Sequence, residues 1–417
     1  MRRGQTWTVV GLVALVGLNL RATLGSLPPL LPDIAADLQL PSSALGMLSS
    51  LCILGMGLAA PFGQALADRL GAERALVWLL VALGASELVR FTAFSPLVLY
   101  ASVAVAGATM GAASTLMPGF IGHHASAVRG FVTGVYSTGL ALGVALAAAI
   151  AVPLSLAGGW RASLASVGVL ALLTALVVRL AAPGEDRPPT RVRGRTKGPG
   201  LPWRDPTARL LTALNIVVMV TGFTGLAWIA PYYRDLGRAP TEAAAMTVVF
   251  QVVQLVGMLG FPAITDATRD RRPLVALTLL CSLAGSSLLV LAPGSFGLAA
   301  VLLFGLGAGG LSTLLLVLSV DVSANRAAAA RLNGLTLFVG FTVGALGPFL
   351  MGVVRDLTGS LAGGYLCSAG LLLLGLGLVP FLHPGRRVLE RVPAIRHTGG
   401  VGDAMSDPVR DPGGDPR

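Results

Sequence analysis

WTVVGLVALVGLNLRATLGSLPPLL (Trp7–Leu31) carries one charge, Arg21, near its middle. About 20 consecutive apolar residues cross the hydrocarbon of a bilayer as a helix, so the stretch reads as a membrane span. A cation at the centre of that slab costs about 3 kcal/mol or more. Such a residue normally faces a polar cavity or a partner. The arginine therefore marks a central site for a small anionic or polarised solute. A structural arginine, satisfied by carbonyls and by Glu87, is the competing reading.

The rest of the composition agrees with a membrane chain. Of 417 residues, 54 % are hydrophobic and 12 % charged, and mean hydropathy is +0.79. Soluble domains carry about 25 % charged residues. The 54 glycines suit close helix–helix packing in lipid. The N-terminal Met1-Arg2-Arg3 and its apolar run do not read as a cleaved signal peptide. The run is too long, holds Asn19 and Arg21, and lacks a small-residue exit. The lipid bilayer is the expected partner surface, in a bacterial inner membrane.

Twelve apolar windows are expected as spans: 7–31, 43–66, 75–93, 96–119, 130–153, 161–182, 208–233, 243–263, 273–292, 295–320, 332–354 and 361–382. The net charge of +11 comes almost wholly from arginine, and it sits in alternate connections. Of 30 Lys and Arg residues, 24 lie on the side of the two termini and the central connection. Arg161, Arg234, Arg238 and Arg355 lie on the other side, and Arg21 and Arg90 within spans. The asymmetry places both termini in the cytoplasm and argues against nucleic acid. The fold class is all-α: a six-helix half over 1–182, a flexible linker over 183–207, a second half over 208–383 and a disordered tail over 384–417.

The halves repeat. GAASTL (Gly111–Leu116) returns as GGLSTL (Gly309–Leu314), and Asp68 returns as Asp266, both 198 residues later. Two six-helix repeats with a site at their interface are a transporter plan.

On span one, Asn19, Thr23 and Ser26 share a face and Arg21 lies nearly opposite. Gly25 and Pro28-Pro29 could bend the helix, or Arg21 could reach across a helix seam. On span seven, Thr221, Thr224, Trp228 and Tyr232 share a face, with Asn215 nearby. A polar face in a span reads as a cavity wall; for Tyr232 an interfacial aromatic belt is the alternative. Gln251, Gln254, Asn333 and Thr336 are similar candidates. Glu87 and Arg90 lie i, i+3 and face each other. They form either a structural ion pair or a pair in which Glu87 carries a proton, because a carboxylate is costly to keep ionised in lipid. Paired, they leave Arg21 as the unbalanced charge. Cys52, Cys281 and Cys367 have no redox or metal spacing, and His123-His124 has no third ligand nearby. No phosphate-binding loop, nucleophile elbow or haem spacing is present, so no cofactor and no enzyme activity are expected.

The loop GQALADRLGAERAL (Gly63–Leu76) resembles the signature loop of the major facilitator superfamily, of the form G-x-L-a-D-r-x-G-r-k. Leu66, Ala67, Asp68, Arg69 and Gly71 fall on the pattern. Gln64 stands at the first glycine position with Gly63 beside it, and Ala72 and Glu73 take the basic positions, with Arg74 following. ITDATRDRR (Ile264–Arg272) keeps Asp266. The resemblance implies that Asp68, Arg69, Gly71, Arg74 and Asp266 belong to a cytoplasmic gate. A carboxylate facing a helix N-terminus and an arginine is a lock that can break. NLRATLGSLPPLLPDI (Asn19–Ile34) resembles the opening of the cyanate/2-nitroimidazole transporter branch, as do SELVRFTAFSP (Ser86–Pro96), MPGFI (Met117–Ile121), AAAARLNG (Ala327–Gly334) and GALGP (Gly344–Pro348). The resemblance implies a monomeric secondary transporter working by alternating access. It would carry a small anionic or polar, cyanate-like solute, with proton coupling as the family default. An exporter of nitroimidazole-like drugs is the alternative within transport. A non-transporting receptor or scaffold is the alternative outside it. Asn19, Arg21, Thr23, Thr221, Thr224, Trp228, Gln251, Gln254 and Asn333 are the solute-binding candidates.

The charge asymmetry makes a prediction. A cysteine placed at Ala157 or Ala239 should react with an impermeant thiol reagent added outside intact cells, and one at Thr196 should not. The reverse pattern would invert the topology.

Overall fold

The computed structural model describes residues 3–182, 202–265 and 270–382. Most of the expected linker, the tail and Asp266 lie outside the described residues. Hydrocarbon offers no water to backbone N–H and C=O groups, so a lipid-embedded chain must satisfy them within helices or closed barrels. Here it uses helices, and no strand occurs among the described residues.

Among the described residues, eleven helices are long and apolar enough to span a bilayer. The first four are α1 (Thr6–Leu38), α2 (Ser42–Leu70), α3 (Ala72–Thr92) and α4 (Pro96–His124). The next helix, Arg129–Ala181, has 53 residues, about twice what a bilayer needs. It turns at Gly159, whose φ of 81° and ψ of 163° suit glycine alone. That turn yields α5 (129–158) and α6 (160–181). The second half follows as α7 (Pro206–Asp235), α8 (Pro240–Ile264), α9 (Arg272–Leu291), α10 (Gly297–Asp321), α11 (Ala328–Thr358) and α12 (Ala362–Phe381). The twelve expected spans are all present.

The repeat seen in the sequence is a repeat of contacts. On α4, a Cβ at Gly107 would overlap the carbonyl oxygen of Cys52, and one at Gly111 that of Met56. On α10, a Cβ at Gly305 would meet the carbonyl oxygen of Phe250, and one at Gly309 would overlap that of Gln254. Each of these four residues on α10 and α8 lies 198 positions after its counterpart on α4 and α2. Glycine at i and i+4 lets two helix backbones touch, and packing of this kind holds helices together in lipid. The same device joins α1 to α5. Gly25 abuts Val144, Gly143 abuts Leu18, and Gly17 lies against Tyr136 and Gly139.

The chain reverses between α6 and α7 at what is called here the linker end. The α1–α2, α7–α8 and α11–α12 connections lie at the opposite, far end. The two halves meet where α2 packs on α11 and where the Arg129–Ala181 helix packs on α8. Near the far end this seam closes tightly: a Cβ at Gly46 would overlap the carbonyl of Pro348, and one at Gly352 that of Ser42.

Gly111→Ala and Gly309→Ala should therefore each destabilise the protein by about 1–3 kcal/mol, through overpacking of the helix crossing. The symmetric pair should suffer alike. Gly370→Ala meets nothing within 4 Å and should be neutral. Thermal unfolding of the three purified variants in detergent checks this.

Candidate functional site

Helix α1 is not continuous. Its regular turns end at Leu20, and Arg21, at φ −119° and ψ 9°, leaves the helical region before Ala22–Ser26 resume. Pro28 and Pro29 then open a single 3-10 turn, Pro28–Leu30, before Leu31–Leu38. Neither proline has an N–H, so part of the backbone ladder is missing here. The bend expected at Gly25 and Pro28-Pro29 thus begins earlier, at Arg21 itself. Arg21 is partly exposed, yet its Nε is buried with no hydrogen-bond partner. It forms no ion pair among the described residues. Tyr136 of α5 and Cys52 of α2 lie within electrostatic reach of it.

Two helical turns or less from Arg21, a narrow cavity of about 10 Å³ lies between the halves. The first half contributes Thr23, Leu24, Leu27 and Pro28 from α1, and Ser49, Cys52 and Ile53 from α2. The second half contributes Phe223, Leu226 and Ala227 from α7. The wall is therefore polar on one side only. Ser49 Oγ is buried without a partner.

Behind Thr23 lies a charged pair. The Thr23 hydroxyl donates to Glu87 Oε1, and Arg90 Nη1 lies 3.9 Å from the same oxygen, both side chains fully buried. Arg90 Nε donates to Ser102 Oγ at 3.2 Å. Glu87 Oε2 and both terminal nitrogens of Arg90 have no hydrogen-bond partner. Asn19 points elsewhere in this half: its Nδ2 donates to Thr174 Oγ1 of α6 at 3.3 Å.

Thr221, Trp228 and Tyr232 of α7 occupy the side of the helix away from the cavity. Thr221 and Thr224 hydroxyls donate to carbonyls one turn back, Val217 and Val220. Trp228 Nε1 donates to the Pro348 carbonyl of α11 at 2.9 Å, and Asn215 Nδ2 to the Thr336 carbonyl at 2.7 Å. Tyr232, buried, donates to the Leu289 carbonyl of α9. It stacks edge-on against Tyr365. At 100° per residue, the centre of the Phe223, Leu226 and Ala227 face lies about half a turn from Thr221 and Trp228. Gln251 is buried with Oε1 unpartnered. The Gln254 amide lies beside Gly222 of α7. Asn333 is partly buried on α11, and its carbonyl accepts from Thr336.

Contacts that sequence reasoning missed close the far end. Arg234 of α7 pairs with Asp33 of α1 at 2.7 Å, across the halves. Asp356 of α11 accepts from the backbone N–H groups of Ser42 and Ser43 at 2.8 and 2.7 Å. Helix α2 has Pro41 at its N-cap position and no side-chain cap of its own. Its cap therefore comes from the other half of the protein. Arg355 Nη1 adds a bond to Ser42 Oγ at 3.2 Å and Nη2 pairs with Asp235 at 2.6 Å. Arg161 and Asp37, 2.7 Å apart, pair within the first half. The available signal was a set of acidic and basic residues at the ends of spans, which sequence spacing alone does not pair.

At the linker end, Gly71 has φ 84° and ψ 150°, a conformation that suits glycine alone and halts α2. Asp68 accepts from Gln64 Nε2 at 3.3 Å. Asp68, Arg69 and Arg74 are exposed.

The sequence profile of the Major Facilitator Superfamily matches residues 12–348. The chain is 28 % identical over 351 residues to the 2-nitroimidazole transporter of Escherichia coli (strain K12), covering 84 % of this chain and 88 % of that one. It is 27 % identical over 386 residues to the cyanate transport protein CynX of the same organism, covering 91 % and 99 %. Among solved structures, a D-xylose-proton symporter superposes with a TM-score of 0.75 at 15 % identity, over 92 % of this chain and 99 % of that one.

The cross-half cap generates a prediction. A side-chain cap stabilises a helix by about 1 kcal/mol, and here that term exists only while the far end is shut. Asp356→Ala should thus raise the far-end-open population roughly five-fold. The native Cys52, buried in the cavity, reports it. In a Cys281→Ser, Cys367→Ser background, reagent added on the far side should label Cys52 about five-fold faster, by the same 1 kcal/mol. An unchanged rate would show that the cap persists in both states.

Proposed function

The chain belongs to the major facilitator superfamily, and from that premise we propose that it carries a small anionic or strongly dipolar solute bound between its halves. The protein is a multi-pass membrane transporter of a small solute, not an enzyme. The finer reading rests on one observation: Arg21, at the break in α1, is a guanidinium within a membrane span with no carboxylate paired to it among the described residues and a buried Nε lacking a partner. Such a cation in low dielectric interacts strongly with an opposing charge. Thr23 and Ser49 add hydroxyls on the same side of the cavity. Asn19 supports the site indirectly, by tying α1 to α6. Gln251, Gln254 and Asn333 are the second half's candidates. Thr221, Thr224 and Trp228 act through the α7 backbone they brace.

The apolar wall of Phe223, Leu226 and Ala227 favours a second reading, in which the solute has one polar edge and one flat apolar face. A nitroimidazole-type heterocycle fits that description and a cyanate-like anion fits the polar edge alone. In both, the halves rock about the site. The far-end cap and ion pairs hold the shape described here, shut at the far end. The Asp68–Arg74 loop holds the opposite one. The termini are cytoplasmic and the working unit is a monomer.

Arg21→Lys should keep the fold and weaken cyanate binding by about tenfold, because a point charge cannot reproduce a two-pronged planar contact. Arg21→Ala should abolish it. Affinity and melting temperature, measured together on each variant against cyanate and 2-nitroimidazole, decide the matter. Normal affinity with lost stability would make Arg21 a structural residue.

A further inference from the structure

We infer that Tyr136 of α5 is a solute-binding residue: its phenolic O–H and the Arg21 guanidinium form one two-donor subsite for the acceptor end of a small anion or dipole, such as a carboxylate, a nitro group or the oxygen of cyanate. The inference rests on the anion reading above and adds the second donor of that site.

Packing brings the two residues together. Gly17 of α1, one turn before Arg21, lies against the Tyr136 carbonyl. At the same crossing Gly139 meets Ala14, and Gly143 meets Leu18. No side chain separates the two backbones there. Arg21 and Tyr136 are thus held in a fixed relation inside one half, whatever the halves do. They lie within electrostatic reach of each other.

The bonding of the pair points to a ligand. Tyr136 is 7 % exposed, and its hydroxyl has no hydrogen-bond partner among the described residues. A buried tyrosine hydroxyl usually has one, as Tyr232 does in the Leu289 carbonyl. Ser114 of α4 lies beside the Tyr136 hydroxyl without closing a hydrogen bond to it. The Ser114 O–H is donated to the Met110 carbonyl at 2.8 Å. Arg21 Nε is the other buried donor without a partner. Arg21 and Ser114 are both partly exposed, so the surface beside them is reachable. An acceptor placed there takes one neutral and one charge-assisted hydrogen bond. Tyr233 and Tyr365 also keep unbonded hydroxyls. What sets Tyr136 apart is a guanidinium inside a span within its reach.

The second half shows that the crossing does not need a tyrosine. There Gly340 and Gly344 of α11 abut Asn215 and Met219 of α7, as Gly139 and Gly143 of α5 abut α1. Three residues before Gly340, where Tyr136 stands before Gly139, the chain has Leu337. The hydroxyl of Tyr136 is therefore an addition to a packing motif that is complete without it.

The test uses full-length protein in detergent, with cyanate and 2-nitroimidazole as probes. Tyr136→Phe removes one oxygen and leaves no protein group unpaired, so its melting temperature should match wild type. Its cyanate affinity should fall about tenfold, the worth of a hydrogen bond to a charged group. Replacing Tyr136 with 3-fluorotyrosine keeps the ring and the hydroxyl and serves where Tyr136→Phe does not fold. Its phenol is more acidic and a stronger donor, so cyanate should bind more tightly than to wild type. A tyrosine with a purely structural role would leave affinity unchanged in both variants. Unchanged affinity in both, with binding still lost in Arg21→Ala, overturns the Tyr136 assignment and leaves the anion reading standing. If wild type binds neither probe, the anion reading itself fails and takes this assignment with it.

Discussion

Everything in this structure follows from the lack of water in hydrocarbon. A polar atom placed in a span must find its partner inside the protein. Asn19, Asn215, Trp228 and Tyr232 each find one on a neighbouring helix, and Thr221 and Thr224 find one on their own. Polar residues that find no partner then carry meaning. Arg21, Ser49, Glu87, Arg90 and Gln251 all keep buried atoms unbonded. Ser49 lines the cavity between the halves and Arg21, Glu87 and Arg90 lie beside or behind it, while Trp160, Tyr233, Ser282 and Tyr365 keep unbonded atoms elsewhere.

Glycine pairs set which parts are rigid. Where Gly107 and Gly111 face Cys52 and Met56, and Gly305 and Gly309 face Phe250 and Gln254, backbones touch and leave no side chains to reorganise. Each half is thereby a stiff bundle. The seam between halves is closed by polar contacts at its far end, Asp33 with Arg234 and Asp356 on the N-terminus of α2. Such contacts are partly solvated and individually modest. The polar contacts exchange with water when the seam opens, and the Gly46–Pro348 and Gly352–Ser42 approaches between α2 and α11 separate with them. Motion between halves, rather than within them, is the low-cost deformation.

The repeat is faithful in packing and unfaithful in chemistry. Arg21, Glu87 and Arg90 all belong to the first half, and their counterparts Met219, Gly285 and Leu288 are uncharged. The second half faces the cavity with Phe223, Leu226 and Ala227. One bundle thus supplies charge and the other an apolar wall to the cavity between them. Duplication explains the architecture, and divergence of one copy explains where the chemistry sits.

Span number and the two-half organisation were legible in the chain, as was the lone charge of Arg21, because hydrophobic length, a 198-residue offset and a charge in an apolar run are one-dimensional signals. The Gly159 turn between α5 and α6 agrees with the expected gap between windows. The α7 face was not legible. Thr221, Thr224 and Trp228 share one side of the helix whether that side lines a cavity or a helix seam, and lipid imposes the same pairing rule on both. Only the positions of α11 and α1 around α7 decide which side is which. The link from Thr23 to Glu87 and the Asp356 cap on α2 were hidden for a similar reason. They join residues 64 and more than 300 positions apart, and nothing along the chain encodes which helix ends meet.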